Sequence, residues 1–535
     1  MLGRFVAVLS AVTFAIAASP LFAQQSCESL TNLKLSRTVV TAAIMVPTGP
    51  FSAPAGPGGG GNAPAITVPA HCEVKGTIRP SKDSEIKFAL WLPTTAWNGK
   101  YHQEGNGGWA GTIPYRSLID PLTRGYATAA TDDGHEGGGG AEWAVGHPEK
   151  LIDFGYRAVH ETSVQAKAIV RAFYGRDPSL SYFAGYSDGG REALMEAQRY
   201  PEDFNGILAG APASNWSHLF TGFIWNEQAA LKSPGSSIPP AKLPALQNAV
   251  MAACDSQDGL KDGLLSDPRS CRFDPTVLLC KASPSGDDSS CLTPAQVETV
   301  KQIYAGAKNP RTGEQLFQGW PPGAEAAPGT WAAWITPANP AGAIQFNFGN
   351  TYYGQAVFED PKWNFRSFDF DRDVQFGDTK AGAVLNATNP DLRSFRAEDG
   401  KLLQYHGWGD AAISPLSSIE YYDNVQSFLS RFPDMRTTRP LVLSPISDFY
   451  RLFMVPGMGH CGGGMGPNNF DAFTPLESWV EKGIAPAQFI GTGSVAGDST
   501  RKMTRPICAY PNVAQYKGTG DPNDAANFAC MSTAK

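Results

Sequence analysis

Ser181-Tyr182-Phe183-Ala184-Gly185-Tyr186-Ser187-Asp188-Gly189-Gly190-Arg191 carries the reading on which the fold turns. An apolar run enters Gly-x-Ser-x-Gly and leaves it directly through the helical stretch Glu192-Ala193-Leu194-Met195. Strand, tight turn and helix in immediate succession are what a nucleophile elbow requires. Its glycines allow a turn sharp enough to lift the Ser187 hydroxyl clear of the sheet edge. The five-residue pattern alone is common by chance, so the flanking elements carry the weight. The plain alternative is that Ser187 caps the helix, its hydroxyl accepting from a backbone N–H of the first turn.

A hydroxyl is a poor nucleophile near neutral pH and needs a base that is itself oriented by an acid. Two later segments end apolar runs in suitable groups: Leu402-Leu-Gln-Tyr-His406-Gly407-Trp408-Gly409-Asp410 and Leu452-Phe-Met-Val-Pro456-Gly457-Met-Gly459-His460-Cys461. The chain order Ser187, Asp410, His460 is that of α/β hydrolases. Both partners fall in loops just past a strand, where parallel sheets place their functional groups. The expected fold class is α/β, with an α/β-hydrolase core. His406 competes for the role of base but lies within or at the end of the strand, where a packed or hydrogen-bonded residue is expected. His135 and His160 precede the serine and give the wrong order. The oxyanion formed on attack needs two preorganised donors. One is expected from the backbone N–H of Asp188. The other is expected from Gly107 or Gly108 in Gln103-Glu-Gly105-Asn-Gly107-Gly108-Trp109, unless that run is an ordinary flexible turn.

With 535 residues the chain can bury a large core. A net charge of −7, with 17% charged residues, leaves no basic surface for a phosphate backbone and argues against nucleic acid as a partner. Hydrophobic residues at 42% and aromatics at 11% exclude disorder and coiled coil, while 57 Gly and 42 Pro make loops abundant. Arg4, the apolar run from Phe5 to Ala18, and Ala23 before Gln24 read as a secretory signal peptide over residues 1–23. No other stretch of about 18 apolar residues offers itself as a membrane span. A soluble protein, secreted or periplasmic, is expected. In such a compartment the nine cysteines read as cross-links with one left over. Proximity in sequence pairs Cys27 with Cys72, Cys254 with Cys271, Cys280 with Cys291 and Cys508 with Cys530, leaving Cys461. Each bridge contributes about 2 to 4 kcal/mol by restricting the unfolded chain.

Pro50 to Pro64, uncharged and rich in Gly, Pro and Ala, reads as a flexible loop. Strand-like runs at 88–92, 126–130, 401–405 and 451–455, and helical spacing at 164–174 and 476–482, bracket a region of different character. From about Ser214 to Asp391 there are four cysteines, many prolines and no alternation of strand and helix. The expected organisation is a core over 24–213 and 396–535, interrupted by an inserted lid domain over 214–395. Trp216, Phe348, Tyr352, Tyr353 and Trp363 of the insertion could stack on an aromatic group, although each is a core candidate first.

Within the insertion, Cys254-Asp255-Ser-Gln-Asp258-Gly259-Leu260-Lys-Asp262-Gly263-Leu264 places three carboxylates in eight residues. Asp255, Asp258 and Asp262 would offer hard oxygen ligands to Ca²⁺, with the backbone carbonyls of Leu260 and Leu264 completing the shell. The loop is not an EF-hand, since the twelfth position from Asp255 is Ser266 where a bidentate Glu is needed. The alternative is a solvated helical face, against which Gly259 and Gly263 argue. The pattern alone leaves both open.

Five segments together resemble the tannase and feruloyl esterase family, which also contains the mono(2-hydroxyethyl) terephthalate hydrolases. They are Gly185-Tyr-Ser187-Asp-Gly189-Gly190-Arg191, Gly407-Trp-Gly409-Asp410, Pro456-Gly-Met-Gly-His460-Cys461, Thr131-Asp132-Asp133-Gly134-His135 and the acidic loop from Cys254 to Asp262. The resemblance spans nearly the whole chain after the leader. It implies an α/β-hydrolase core with a large lid, a Ca²⁺ held in that lid by the acidic loop, and esters of aromatic carboxylic acids as substrates. One departure stands out. Members of the family commonly carry a Cys immediately before the nucleophile, bridged to the Cys after the catalytic His. Here position 186 is Tyr, so the resemblance implies a free Cys461 thiol beside the site and catalytic loops held by packing.

The function expected is a secreted serine esterase acting on galloyl, hydroxycinnamoyl or terephthalate-like esters through an acyl-enzyme. Its substrate is a small aromatic ester, and oligomeric state is not legible. An exported serine peptidase using the same residues, and a non-catalytic binding protein on the same fold, are the alternatives.

Overall fold

The computed structural model describes residues 25–51, 66–281, 288–432, 445–496 and 498–532. The expected leader at 1–23 and most of the Pro50 to Pro64 segment lie outside them. The frame is a nine-stranded mixed sheet. Its strands are β1 (Thr38–Val46), β2 (His71–Ile78), β3 (Ile86–Pro93), β4 (Lys100–Glu104), β5 (Ala127–Thr131), β6 (Leu180–Tyr186), β7 (Gly206–Gly210), β8 (Lys401–Gly407) and β9 (Tyr450–Val455). They lie in the order β1-β2-β3-β5-β4-β6-β7-β8-β9. The first three are antiparallel to their neighbours and β3 meets β5 antiparallel. From β5 onward every pairing is parallel.

Helices flank the sheet: α1 (Ala158–Tyr174), α2 (Asp188–Arg199), α3 (Trp216–Ala230), α4 (Leu243–Cys254), α5 (Pro294–Ala305), α6 (Ile344–Thr351), α7 (Leu416–Arg431) and α8 (Phe473–Lys482). Successive strand side chains point to opposite faces, so a parallel sheet covered on both sides needs apolar residues at consecutive positions. Phe183, Leu402 and Leu452 join one core with Ile169 of α1, Leu194 of α2 and Val425 of α7. Their neighbours Tyr182, Leu403 and Phe453 join another with Leu476 and Trp479 of α8. This double burial is why the strands appear in the sequence as short unbroken apolar runs.

Between β7 and β8, over 211–400, the described residues make no strand of the sheet. This stretch is slightly wider than the expected 214–395. It carries α3 to α6 and a core of its own, in which Trp216, Phe220, Phe223, Trp320 and Tyr352 pack with Trp109, Phe154 and Ile413. The last three belong to loops that follow β4, β5 and β8, so the insertion sits over the carboxyl ends of the parallel strands. Four disulfides close Cys27–Cys72, Cys254–Cys271, Cys280–Cys291 and Cys508–Cys530, the pairs that proximity suggests. Cys461 is free and exposed. Among the described residues no helix is long and apolar enough to cross a membrane.

Candidate active site

The turn from β6 into α2 holds Ser187 at φ +64° and ψ −115°, a left-handed backbone that costs a non-glycine residue about 1 to 3 kcal/mol. Packing around the turn keeps it there. A Cβ on Gly185 would lie 2.2 Å from the carbonyl oxygen of Gly189, and one on Gly190 would lie 2.4 Å from that of Gly210. Only glycine lets the helix begin this close to the strand ends. Ser187 does occupy the N-cap position of α2, as the alternative reading has it, but its hydroxyl makes no capping bond. The hydroxyl faces the imidazole of His460 instead, with Nε2 to Oγ at 3.0 Å.

His460 Nδ1 lies 2.8 Å from Asp410 Oδ2. Asp410 follows β8 and His460 follows β9, so hydroxyl, imidazole and carboxylate stand in one row beyond the carboxyl ends of parallel strands. The backbone N–H groups of Ala412 and Ile413 donate to Asp410 Oδ1 at 2.8 and 2.9 Å. Burial works to raise the pKa of Asp410, yet His460 and His406 outweigh it and hold the carboxyl well below the usual carboxylate range. Burial likewise disfavours an imidazolium at His460, and the Asp410 charge more than offsets it, so the imidazole is more basic than an ordinary histidine.

His406 is buried in β8 and is not the base, but it takes a part that the strand pattern did not reveal. Its Nε2 lies 3.1 Å from the carbonyl of Ile413 and 3.3 Å from Asp410 Oδ2. Both are acceptors, so this nitrogen carries the proton. Nδ1 then accepts from Ser418 Oγ at 2.7 Å. Gln404 Nε2 donates to Ser418 Oγ at 2.7 Å, and Tyr450 Oη donates to Gln404 Oε1 at 2.6 Å. The chain of donors runs one way, toward the carboxylate. Its members come from β8, α7 and β9, and no sequence spacing connects them. His135 and His160 stand elsewhere, stacked at 3.8 Å on Trp143 and Tyr200 respectively.

Asp188 and Gly108 both border the cleft in front of Ser187, whereas Gly107 is not among its lining residues. The carbonyl of Gly107 closes a tight turn, accepting from Ala110 N at 3.0 Å, and Gly108 adopts φ +60°. Of the two expected glycines, Gly108 is the one that borders the cleft. The loop is anchored from behind. Asn106 N donates to Glu192 Oε2, and Asn106 Nδ2 to Thr131 O and Asp133 Oδ2, each at 2.9 Å, while Asn106 O accepts from Gly189 N at 2.8 Å. Oxygens of Asp133, Asp188 and Glu192 meet there within 4.8 Å, all buried. Burial, then the neighbouring Glu192, pushes Asp133 well above the usual carboxylate range. A protonated Asp133 can donate to Glu192, which lets the carboxylates share the space. Asp188 itself is bonded at 2.6 Å to Nε of the fully buried Arg191.

Tyr186, standing where the family commonly has Cys, packs its ring 5.1 Å from the His460 imidazole. Trp334 meets the same imidazole edge-on at 5.1 Å. Aromatic packing thus joins the two catalytic loops, while Cys461 lies at the surface. Of the five aromatic candidates in the insertion, Trp216 and Phe348 line the cleft, along with Phe220, Phe223 and Trp334, which no sequence pattern distinguishes from core. Tyr352 and Tyr353 are core, and Trp363 packs on Tyr353.

The acidic loop is helical only for one 3₁₀ turn, Asp255–Asp258, which Gly259 ends at φ +89°. Asp255 accepts from Gly263 N at 3.0 Å, Asp258 from Leu260 N at 3.1 Å and Ser266 N at 3.2 Å, and Asp262 from Leu264 N at 3.2 Å. Burial raises the pKa of Asp255 and Asp258, and the negative charge of Asp262 adds to it in both. Arg505 Nη2 reaches Asp262 at 2.8 Å. Three mutually repelling carboxylates in one curled loop suit a hard divalent cation, although their oxygens are not all within 4.8 Å of one another as those of Asp133, Asp188 and Glu192 are.

The sheet order and this row of hydroxyl, imidazole and carboxylate define an α/β hydrolase. The profile described as tannase and feruloyl esterase matches residues 72–531, and the chain belongs to that family, whose members are carboxylic ester hydrolases. An uncharacterized esterase of Xanthomonas campestris pv. campestris is 41% identical over 541 positions, covering 96% of this chain and 92% of the relative. The mono(2-hydroxyethyl) terephthalate hydrolase of Piscinibacter sakaiensis is 33% identical, covering 96% and 92%. Among solved structures, feruloyl esterase B from Aspergillus oryzae superposes with a TM-score of 0.84 at 29% identity, covering 94% of this chain and 99% of that one.

Proposed function

We propose that the protein is an exported serine esterase that cleaves esters of aromatic carboxylic acids through an acyl-enzyme. The observation that carries this reading is the 3.0 Å approach of His460 Nε2 to Ser187 Oγ, with Asp410 2.8 Å behind Nδ1. His460 takes the hydroxyl proton as Oγ attacks the ester carbonyl, and Asp410 steadies the imidazolium. The backbone N–H groups of Asp188 and Gly108 receive the oxyanion. His460 returns the proton to the departing alcohol, and water then repeats the sequence to free the acid. The insertion acts as the lid that presents aromatic side chains to the acyl group. Four disulfides fit an oxidising compartment outside the cytosol.

Asp255, Asp258 and Asp262 with the carbonyls of Leu260 and Leu264 would hold a Ca²⁺. When bound it supplies structural charge neutralisation, pinning the loop that leaves α4. It lies outside the proton-transfer path.

The test is an ester panel (methyl gallate, methyl ferulate, chlorogenate and mono(2-hydroxyethyl) terephthalate) assayed with the wild-type enzyme beside Ser187→Ala. The variant is expected to lose at least about 10³-fold in rate. Near-normal turnover by Ser187→Ala would refute the nucleophile. Cleavage of peptides but not of esters would favour a peptidase, and failure of a fluorophosphonate to label Ser187 would favour a binding protein.

A further inference from the structure

Among the described residues, the walls of the cleft in front of Ser187 are apolar apart from the reacting groups themselves. Trp216, Phe220, Phe223, Trp334 and Phe348 form most of them, with Leu219 and Ile413 between. The rings of Phe220 and Phe348 lie nearly parallel, 9° apart with centroids at 6.0 Å, and Trp334 lies 17° from Phe348 at 6.4 Å. The space between these walls is about 310 Å³ with the open solvent at its mouth included. Apart from the indole N–H groups of Trp216 and Trp334, the only charged or hydrogen-bonding side chains on its lining are those of Ser187, Asp188 and His460. Asp188 Oδ1 is committed to Arg191 Nε at 2.6 Å, and its Oδ2 is buried away from the cleft surface. The indole N–H of Trp216 is buried out of reach and finds no partner. Beyond the reacting groups, no side chain on the lining can accept a phenolic proton or neutralise a carboxylate.

We infer that, within the esterase reading above on which this rests, the acyl group this enzyme prefers is an uncharged ring with few or no hydroxyls: a benzoyl or cinnamoyl ester rather than a galloyl ester or a terephthalate monoester. A hydroxyl that leaves water without a new partner loses its hydrogen bonds. An ionised carboxylate entering an apolar cleft with no cation loses far more than the burial of one ring returns. The flat aromatic walls, by contrast, reward any unsubstituted ring by stacking and by apolar area. The recognition chemistry is thus opposite to that needed for a free para carboxylate, the group a mono(2-hydroxyethyl) terephthalate hydrolase must accept in its substrate.

Dimethyl terephthalate and monomethyl terephthalate isolate the effect, because they share the ring and the scissile ester and differ only at the para group, a neutral methyl ester in one and a carboxylate in the other. At neutral pH, kcat/KM for the diester is expected to exceed that for the monoester by at least about 100-fold, well beyond the twofold statistical advantage of two ester groups. Methyl cinnamate is expected to exceed methyl ferulate, and methyl benzoate to exceed methyl gallate, by about tenfold or more for the unpartnered hydroxyls. Phe348→Arg places a cation at the wall and is expected to narrow the diester-to-monoester ratio at least tenfold. That ratio does not depend on the fraction of variant that folds. Equal turnover of the two terephthalates overturns this inference and leaves the esterase reading standing. Failure to cleave any of these esters overturns both.

Discussion

Replacing His406 by Phe removes the donor that faces Asp410 Oδ2 at 3.3 Å and leaves Ser418 Oγ without the acceptor now 2.7 Å away. A hydrogen bond to a charged acceptor contributes about 1.5 to 3 kcal/mol. His406 Nε2 stands 3.3 Å from Asp410 Oδ2, so part of that energy is felt in the transition state, when Asp410 faces an imidazolium. At about 1.4 kcal/mol for each power of ten, kcat falls about 10- to 100-fold. The melting temperature falls as well, because Ser418 and Gln404 become a buried network with one member unpartnered. His406→Gln separates the two effects, since its amide nitrogen can stand near the former Nε2 and donate to the same oxygens. Steady-state kinetics on a reactive ester, with thermal melts of both variants, make the measurement. His406→Phe with wild-type kcat and a lowered melting temperature, or His406→Gln as slow as His406→Phe, would refute the claim that this histidine acts through Asp410.

Asn106→Ala should lower kcat about tenfold or more, a fraction of what losing an oxyanion donor outright costs, because it strips the two side-chain bonds that tie the Gly105 to Gly108 loop to the end of β5 and to Asp133 just beyond it. Unchanged kcat would mean that the loop is held by its glycine turn alone. The acid limb of kcat/KM should fall above the ordinary histidine value of 6.5, since activity needs neutral His460 and the Asp410 charge raises its pKa. Activity is therefore lost as pH drops through that raised value. Asp410→Asn should move the limb to lower pH and cut the rate about 10⁴-fold, and a limb that stays in place would exclude the pairing. EDTA should lower the melting temperature, and Asp258→Ala should lower it without further response to EDTA. Elemental analysis of protein purified without chelator that finds no calcium would count against the metal.

Much of this molecule is legible in one dimension because its cues are local. The elbow is a run of adjacent residues whose glycines are demanded by the close approach of α2 to β6. The apolar runs at β3, β5, β8 and β9 are short and unbroken because both faces of the mixed sheet are covered there. The four disulfides join near neighbours in the chain. Asp410 and His460 could be chosen because a parallel sheet delivers its loops to one edge, so chain order and strand ends sufficed.

What required the tertiary structure is whatever depends on side chains meeting from distant segments. Gly108 rather than Gly107 borders the cleft because of a turn closed by Ala110. His406 touches Asp410 only because β8, α7 and β9 come together, and Asn106 anchors its loop through carboxylates from two other elements. The cleft wall is the sharpest case: Trp216, Phe220 and Phe348 have the same composition signature as Tyr352 and Tyr353, and only the way α3 and α6 pack decides which rings face the hydroxyl and which fill the core. Strand and turn are determined by energies within a few residues. A site is determined by which surfaces the whole chain buries together, and that sum has no local trace.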